Sequence, residues 1–208
     1  MGIIAAGLSA EIAIRGSLVV PGDAAATAAA IRGAPGLFGL GLVLDMAMLL
    51  ADVGLAVALY LLFRPAGIGL VLVATAFRLV QAAVLAGGLI HLLGARLLLT
   101  APAHGGMPPD MQATLAMLHL EMHAQRYDLG LVFFAVCCAA LGALVIRSGW
   151  FPAALGWLLW AAAAVYMTGS LTLVLAPDLL PLVQPFYAIC ILAEIGFAVL
   201  LLRGPRPG

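Results

Sequence analysis

The sequence contains no lysine, and its few charged residues balance one another. Charged residues make up only 9% of the 208 residues, and the nine basic residues are matched by nine acidic ones, so the formal net charge is zero. Such a chain has no basic surface that would attract nucleic acid or an anionic lipid surface. We therefore expect no nucleic-acid partner.

Familiar catalytic motifs are also missing. The sequence has no Gly-x-Ser-x-Gly elbow, no Cys-x-x-Cys pair and no phosphate-binding loop. Its three cysteines, Cys137, Cys138 and Cys190, lie inside apolar runs, where cysteine usually acts as a small buried hydrophobic residue. The sequence alone identifies neither a catalytic residue nor a cofactor.

Apolar residues, in contrast, make up 65% of the chain. A soluble domain of this composition would expose more apolar surface than water tolerates, so membrane lipids are the expected surroundings. The long apolar runs predict an all-α, polytopic membrane protein, with one domain over residues 1–208 and six transmembrane helices in a bundle. These helices are predicted over residues 3–20, 37–63, 68–99, 111–146, 152–175 and 185–202.

Turn and capping residues divide the apolar runs. Pro21 and Gly22 end the first helix, and Asp23 is placed to cap a short alanine-rich helix that ends near Arg32. This short helix is too polar to span a membrane, so we expect it to lie along the outer surface. Asp110 is expected to cap the long fourth helix in the same way. Pro181 and Pro185 predict an irregular connection before the last helix.

Arginine placement predicts the orientation of the chain. Four arginines follow the second, fourth and sixth helices, whereas the opposite ends carry mostly acidic residues. The positive-inside rule then places both termini in the cytoplasm, and the composition is typical of a GC-rich bacterial genome, which indicates the bacterial inner membrane. The four arginines are Arg64, Arg147, Arg203 and Arg206.

Charged residues inside the apolar helices are costly and normally pair within a bundle. Glu11 and Arg15 are four residues apart with the acid first, so the sequence predicts an ion pair within the first helix. Arg78 lies near the middle of its predicted helix, so we expect it to contact at least one of Asp45, Asp52 or Glu194. Two interpretations remain open. The charges form a structural salt-bridge network that fixes helix register, or they line a polar pocket that opens to the outer face.

The fourth predicted helix carries most of the remaining polar residues. His123, Arg126 and Tyr127 share one face, because they are spaced three and four residues apart. We expect this face to line the outer mouth of an interhelical cavity together with Glu11, Arg15 or His91. Asp128 points away from His123 and is expected to reach a neighbouring helix.

A metal site is a second possibility for this helix. His119 and His123 are four residues apart, the spacing at which two imidazoles can hold one ion, and His91, His104 or a carboxylate would supply a third ligand. Glu121 points away from the two histidines, so the pattern is not that of the zinc proteases. The alternative is a solvated helix end without metal.

Four ordered segments resemble one family of bacterial membrane proteins, grouped as domain of unknown function 4386. They read Arg15-Gly-Ser-Leu-Val-Val-Pro-Gly-Asp, Phe77-Arg-Leu-Val-Gln, His123-Ala-Gln-Arg-Tyr-Asp-Leu-Gly and Arg147-Ser-Gly-Trp-Phe-Pro. The resemblance implies an integral membrane protein and names no reaction. It includes the residues Glu11, Arg15, Arg78, Gln81, His123, Tyr127, Asp128 and Glu194, but not His119.

These observations favour binding or transport of a small molecule through a polar pocket in the outer half of the bundle. A membrane enzyme that uses His123 with nearby acids or a metal is an alternative, and so is a structural subunit that packs against a partner or a second copy. The expected binding residues are Glu11, Arg15, Asp45, Arg78, Gln81, His123, Arg126, Tyr127, Asp128 and Glu194, and the expected metal ligands are His119, His123 and His91.

Overall fold

A computed structural model describes residues 7, 9–100 and 106–204. The described residues are 91% helical and form no β-strand. Within this part of the chain, five helices are long and apolar enough to cross a membrane, which indicates a multi-pass membrane protein and confirms the all-α prediction. Helices are the expected structure in lipid because they satisfy their own backbone hydrogen-bonding groups.

The five long helices lie close to their predicted positions. In chain order they are α3 over Pro35–Phe63, α4 over Ile68–Thr100, α5 over Pro109–Ser148, α6 over Ala153–Leu175, and a last segment over Pro177–Arg203 whose main part is α7, Tyr187–Arg203. Large apolar side chains on these helices face outward, among them Leu50 of α3 and Val174 of α6. Exposed apolar surface of this extent is suited to lipid.

The start of the chain differs from the predicted helix over residues 3–20. Its described part, α1, is a π-helix over Ser9–Arg15 that continues as one α-helical turn over Gly16–Leu18. Residues 1–6 and 8 lie outside the described part of the chain. The described residues therefore contain five candidate spans. The additional span predicted over residues 3–20 and the bundle arrangement stay predictions.

The short helix between the first two predicted spans is present as α2, Ala24–Gly33. Its N-cap is Asp23, whose side chain accepts a hydrogen bond of 2.8 Å from the backbone N–H of Ala26, and Arg32 lies in its last turn. The negative charge at the start of the helix and the positive charge at its end both interact favourably with the helix dipole. The predicted capping at this position is confirmed.

Two local predictions were wrong because proline was given the wrong role. Helix α5 begins at Pro109, so Asp110 lies inside its first turn, and the Asp110 carbonyl accepts a hydrogen bond from the Thr114 hydroxyl at 2.9 Å. The segment before α7 was expected to be irregular, yet it forms short helices over Pro177–Leu179, Leu180–Val183 and Gln184–Phe186. Proline is tolerated in a first helical turn, because the N–H it lacks has no partner there.

The chain divides into two compact units whose boundaries fall inside the long helices. The first unit contains Met1–Asp52 and Val84–Tyr127, with a core that includes Ile31, Phe38 and Leu92. The second contains Val53–Ala83 and Asp128–Gly208. All three cysteines are buried in the core of the second unit, as the sequence predicted.

Glycine allows α5 and α6 to approach closely in the second unit. A Cβ atom on Gly142 would lie 2.7 Å from the carbonyl oxygen of Gly156, and a Cβ atom on Gly156 would lie equally close to the carbonyl oxygen of Gly142. Small residues have this role in many membrane helix pairs.

Candidate functional site

A buried ion pair joins α1 to α3 in the first unit. The guanidinium of Arg15 donates to both carboxylate oxygens of Asp45, with an Nη1–Oδ2 distance of 2.5 Å, and only 8% of Arg15 and 5% of Asp45 are exposed. Arg15 also donates through Nε and Nη2 to Glu11, at 2.8 and 2.6 Å. The predicted intrahelical pair of Glu11 with Arg15 is therefore present, and Asp45 is a second partner that the sequence had not indicated.

The two carboxylates differ in exposure. The Glu11 side chain is 62% exposed, so water competes for it, whereas Asp45 is buried. A buried charge pair depends on its geometry, because each ion has lost its hydration, while an exposed pair contributes little. Asp45 is thus the buried counter-ion of Arg15, and Glu11 is its solvent-exposed partner.

His123 of α5 lies in the same unit and is 7% exposed. Its Nδ1 atom lies 3.1 Å from the carbonyl oxygen of Gly88 on α4. A carbonyl only accepts, so Nδ1 is the donor in this contact, and Nε2 is the acceptor in the neutral ring. The contact therefore sets both the orientation and the tautomer of His123.

These side chains meet at a cavity of about 350 Å³ that is formed by α1, the turn after it and the first half of α5. Glu11, Arg15, Glu121 and His123 supply its polar wall, and Val19, Met117 and Leu120 supply much of its apolar wall. The sequence predicts that His123 shares a cavity with Glu11, Arg15 or His91, and the structure brings His123, Glu11 and Arg15 together. Their role in binding stays a prediction.

Arg126 follows a different path from His123. Its guanidinium lies directly on the backbone of α4, so a Cβ atom on Gly88 would be only 1.5 Å from Nη1 of Arg126. Nε and Nη1 of Arg126 are buried and have no hydrogen-bond partner within the described part of the chain. Arg126 is in electrostatic range of Asp45, Arg15 and Glu11, and it extends the same charged group without lining the cavity wall described above.

The three predicted metal ligands are not gathered around one point. Nδ1 of His119 lies 3.2 Å from Nδ1 of His91, whereas His123 is directed to the Gly88 carbonyl. Among the described residues, no group of three or more His, Cys, Asp or Glu side chains is placed to hold a metal ion. The pairing of His119 with His123 is thus replaced by a pairing of His119 with His91. His104 lies outside the described residues.

The second unit contains its own polar group. The hydroxyl of Tyr166 on α6 donates to Glu194 of α7, and the Tyr166 ring packs against Phe134, with centroids 5.4 Å apart. The guanidinium carbon of Arg78 lies 5.3 Å from the centroid of the same Phe134 ring. The predicted contact of Arg78 with a carboxylate stays a prediction.

The remaining predicted binding residues are dispersed. Gln81 is buried, and its side-chain oxygen has no hydrogen-bond partner within residues 7, 9–100 and 106–204. Tyr127 is exposed and Asp128 is half-buried. Sequence reasoning missed Gly88 and Gly94, whose only signal was their position within a helix otherwise rich in leucine and alanine.

Comparison with known proteins gives a family and no activity. The family model described as "Domain of unknown function (DUF4386)" matches residues 1–204, so the chain belongs to this family. An uncharacterized protein of Archaeoglobus fulgidus is 31% identical over 126 residues, which are 60% of this chain and 61% of that protein. The chain thus spans about three fifths of this relative's length. No solved structure matches the chain.

Removal of Asp45 should cost far more than removal of Glu11. Asp45→Leu leaves the Arg15 charge buried with only an exposed partner, so we expect a loss of about 3–5 kcal/mol in the free energy of unfolding. Glu11→Gln should cost less than about 1 kcal/mol. Unfolding in detergent measures both values. Arg15→Met in the Asp45→Leu background should restore most of the loss, and equal costs for the two acids would contradict the assignment.

Gly88 and Gly87 form a matched pair for a second test. Gly88→Ala places a methyl group where the Arg126 guanidinium lies, so it should lower stability by about 1–3 kcal/mol. Gly87→Ala meets nothing within 4 Å and should be neutral or slightly stabilising. Arg126→Ala should relieve the loss in the Gly88→Ala protein but not add stability to the wild type. Indistinguishable unfolding midpoints for the two alanine variants would refute the close contact.

Proposed function

We propose that the chain binds a small carboxylate-bearing molecule in the cavity between α1 and α5, as a membrane binding protein or as the binding step of a transporter. The observation that supports this proposal is the presence of buried Arg15 and buried His123 in one cavity wall. A volume of about 350 Å³ is within the range of small-molecule sites.

The choice of a carboxylate follows from how Arg15 is bound. Its guanidinium already holds two carboxylates, and a planar fork of donors suits this group particularly well. Glu11 is the exposed one, so an incoming carboxylate can exchange with Glu11 while Asp45 keeps the charge of Arg15 balanced. The Nε2 atom of His123 supplies an acceptor for a hydroxyl or ammonium group of the same molecule.

Binding is tested with the purified protein in detergent and a panel of small mono- and dicarboxylates and amino acids. Ligands that bind only the folded state raise the unfolding midpoint in a saturable way. We expect such a rise with one class of carboxylate and none with its neutral amide. The double variant Arg15→Met, Asp45→Leu removes the guanidinium without leaving an unpaired buried charge, and it should abolish the rise in the unfolding midpoint.

The His123→Gln variant serves as a second probe, because it should weaken binding of ligands that carry a donor group and leave simple carboxylates unaffected. Equal shifts for carboxylates and amides, or a shift that persists in the double variant, would refute the site. A protein that responds to no ligand of the panel but copurifies with a stoichiometric partner would instead support the structural-subunit hypothesis. Uptake into vesicles separates transport from binding alone.

We further propose that the protein lies in the bacterial inner membrane, with the ends of α3, α5 and α7 in the cytoplasm. Arg64 follows α3 directly, Arg147 lies in the last turn of α5, and Arg203 ends α7. Alternate helices of a multi-pass chain end on the same side, so these arginines support a cytoplasmic location for that side. The cavity, in the first half of α5, then belongs to the outer half. Both termini are cytoplasmic if residues 3–20 form the sixth span.

Cysteine labelling tests this orientation in intact cells. We expect Asp110→Cys and Asp178→Cys to react with an impermeant thiol reagent from outside, and Arg64→Cys and Arg147→Cys to react only after lysis. The native cysteines are buried and provide a low background. The reverse labelling pattern would reverse the orientation.

A further inference from the structure

Two histidines from neighbouring helices form a pair in the first unit. Nδ1 of His91 on α4 lies 3.2 Å from Nδ1 of His119 on α5, and the ring planes are inclined at 49°. Both side chains are half-buried. The pair involves neither His123 nor the cavity that Arg15 lines.

Glycine makes room for this pair. A Cβ atom on Gly94 of α4 would lie 2.8 Å from Cε1 of the His119 ring, so the ring packs directly against the helix backbone. This contact holds the imidazole of His119 beside that of His91. The arrangement therefore depends on a packing contact in addition to the approach of the two nitrogens.

The two nitrogens lie within hydrogen-bond distance of each other, and the same separation matches the geometry of a shared metal ion. Zinc–imidazole bonds are about 2.0–2.1 Å long, and at a tetrahedral angle two such nitrogens lie roughly 3.3–3.4 Å apart. The observed 3.2 Å is close to this value, and small changes in side-chain torsion accommodate the difference.

We propose that His91 and His119 bind a divalent transition-metal ion through their Nδ1 atoms, with water or a small molecule in the remaining coordination positions. Imidazole nitrogen favours copper, nickel, zinc and cobalt, whereas magnesium and calcium prefer oxygen ligands that this pair lacks. The site differs from the set His119, His123 and His91 that the sequence predicted, since His123 is directed to Gly88.

The location of the pair is compatible with entry of an ion from water. The apolar stretch of α5 that is long enough to span a bilayer begins at Tyr127, and His119 precedes it by eight residues. At 1.5 Å per residue this places His119 roughly 12 Å before the start of that stretch. The pair therefore lies toward the polar end of the helix.

The proposal is tested with the full chain, purified in detergent through a tag without histidine, by titration with Cu²⁺ and Ni²⁺. We expect one equivalent of Cu²⁺ to bind more tightly than Ni²⁺, in the order of the first-row series. The electron paramagnetic resonance spectrum of the Cu²⁺ protein should show hyperfine coupling to two imidazole nitrogens. Coupling to one nitrogen or to none would overturn the proposal without any need for a variant.

Variants then identify the ligands. His91→Gln and His119→Gln should each weaken binding by at least about tenfold, because the loss of a ligand costs no less than the loss of its supporting contacts. His123→Gln removes the same side chain from the same helix and should leave affinity unchanged. The unfolding midpoint without metal verifies that each variant is folded.

Unchanged affinity in both His91→Gln and His119→Gln would show adventitious binding elsewhere and overturn the assignment. A loss in His123→Gln as large as in His119→Gln would restore the three-histidine set. The carboxylate site is tested with variants of Arg15 and Asp45, and the metal site with variants of His91 and His119. Failure of one proposal can therefore be recognised independently of the other.

Discussion

The buried charge of Arg15 is the constraint on which the first unit depends. A guanidinium that has lost its hydration must be matched by an anion and by hydrogen-bond acceptors, since an isolated charge in an apolar interior costs several kcal/mol. Asp45 meets this requirement from a different helix, so the pair fixes the position of α1 against α3. Glu11 completes the coordination from the exposed side, so one of the two carboxylate contacts is open to solvent. A structural ion pair and the proposed binding determinant are thus combined in one side chain.

Glycines of α4, which have no side chain, leave room for polar side chains of α5. At Gly88 and Gly94 the helix presents bare backbone, and the side chains of Arg126 and His119 occupy the space that a methyl group would fill. The backbone of α4 also supplies the acceptor for His123. Small residues in membrane helices usually serve to bring two backbones together. Here they admit long polar side chains instead, and so determine where imidazole and guanidinium groups lie.

The polar residues of the second unit are stabilised by other kinds of interaction. Glu194 accepts a hydrogen bond from Tyr166, which needs no second charge, and Arg78 lies over the face of Phe134, where the ring quadrupole attracts a cation. Aromatic rings link these two contacts, because Tyr166 and Phe134 pack against each other. Each unit therefore contains its own polar group, and the two groups use different chemistry.

The sequence by itself determined the features that depend on residues near one another in the chain. Hydrophobic length, proline and capping residues determined the five long helices and the short helix capped by Asp23. The four-residue spacing determined the pair of Glu11 with Arg15 within one helix. Family membership was likewise readable from ordered segments. Depth along a helix, however, does not determine which neighbour a side chain faces. For that reason the sequence does not indicate that Asp45 binds Arg15, and it predicts His123 as the neighbour of His119 although His119 meets His91. Those partners were decided by the tertiary structure, since the rotation of each helix about its axis is set by packing at positions such as Gly88 and Gly94, where a single methyl group would exclude the observed contacts.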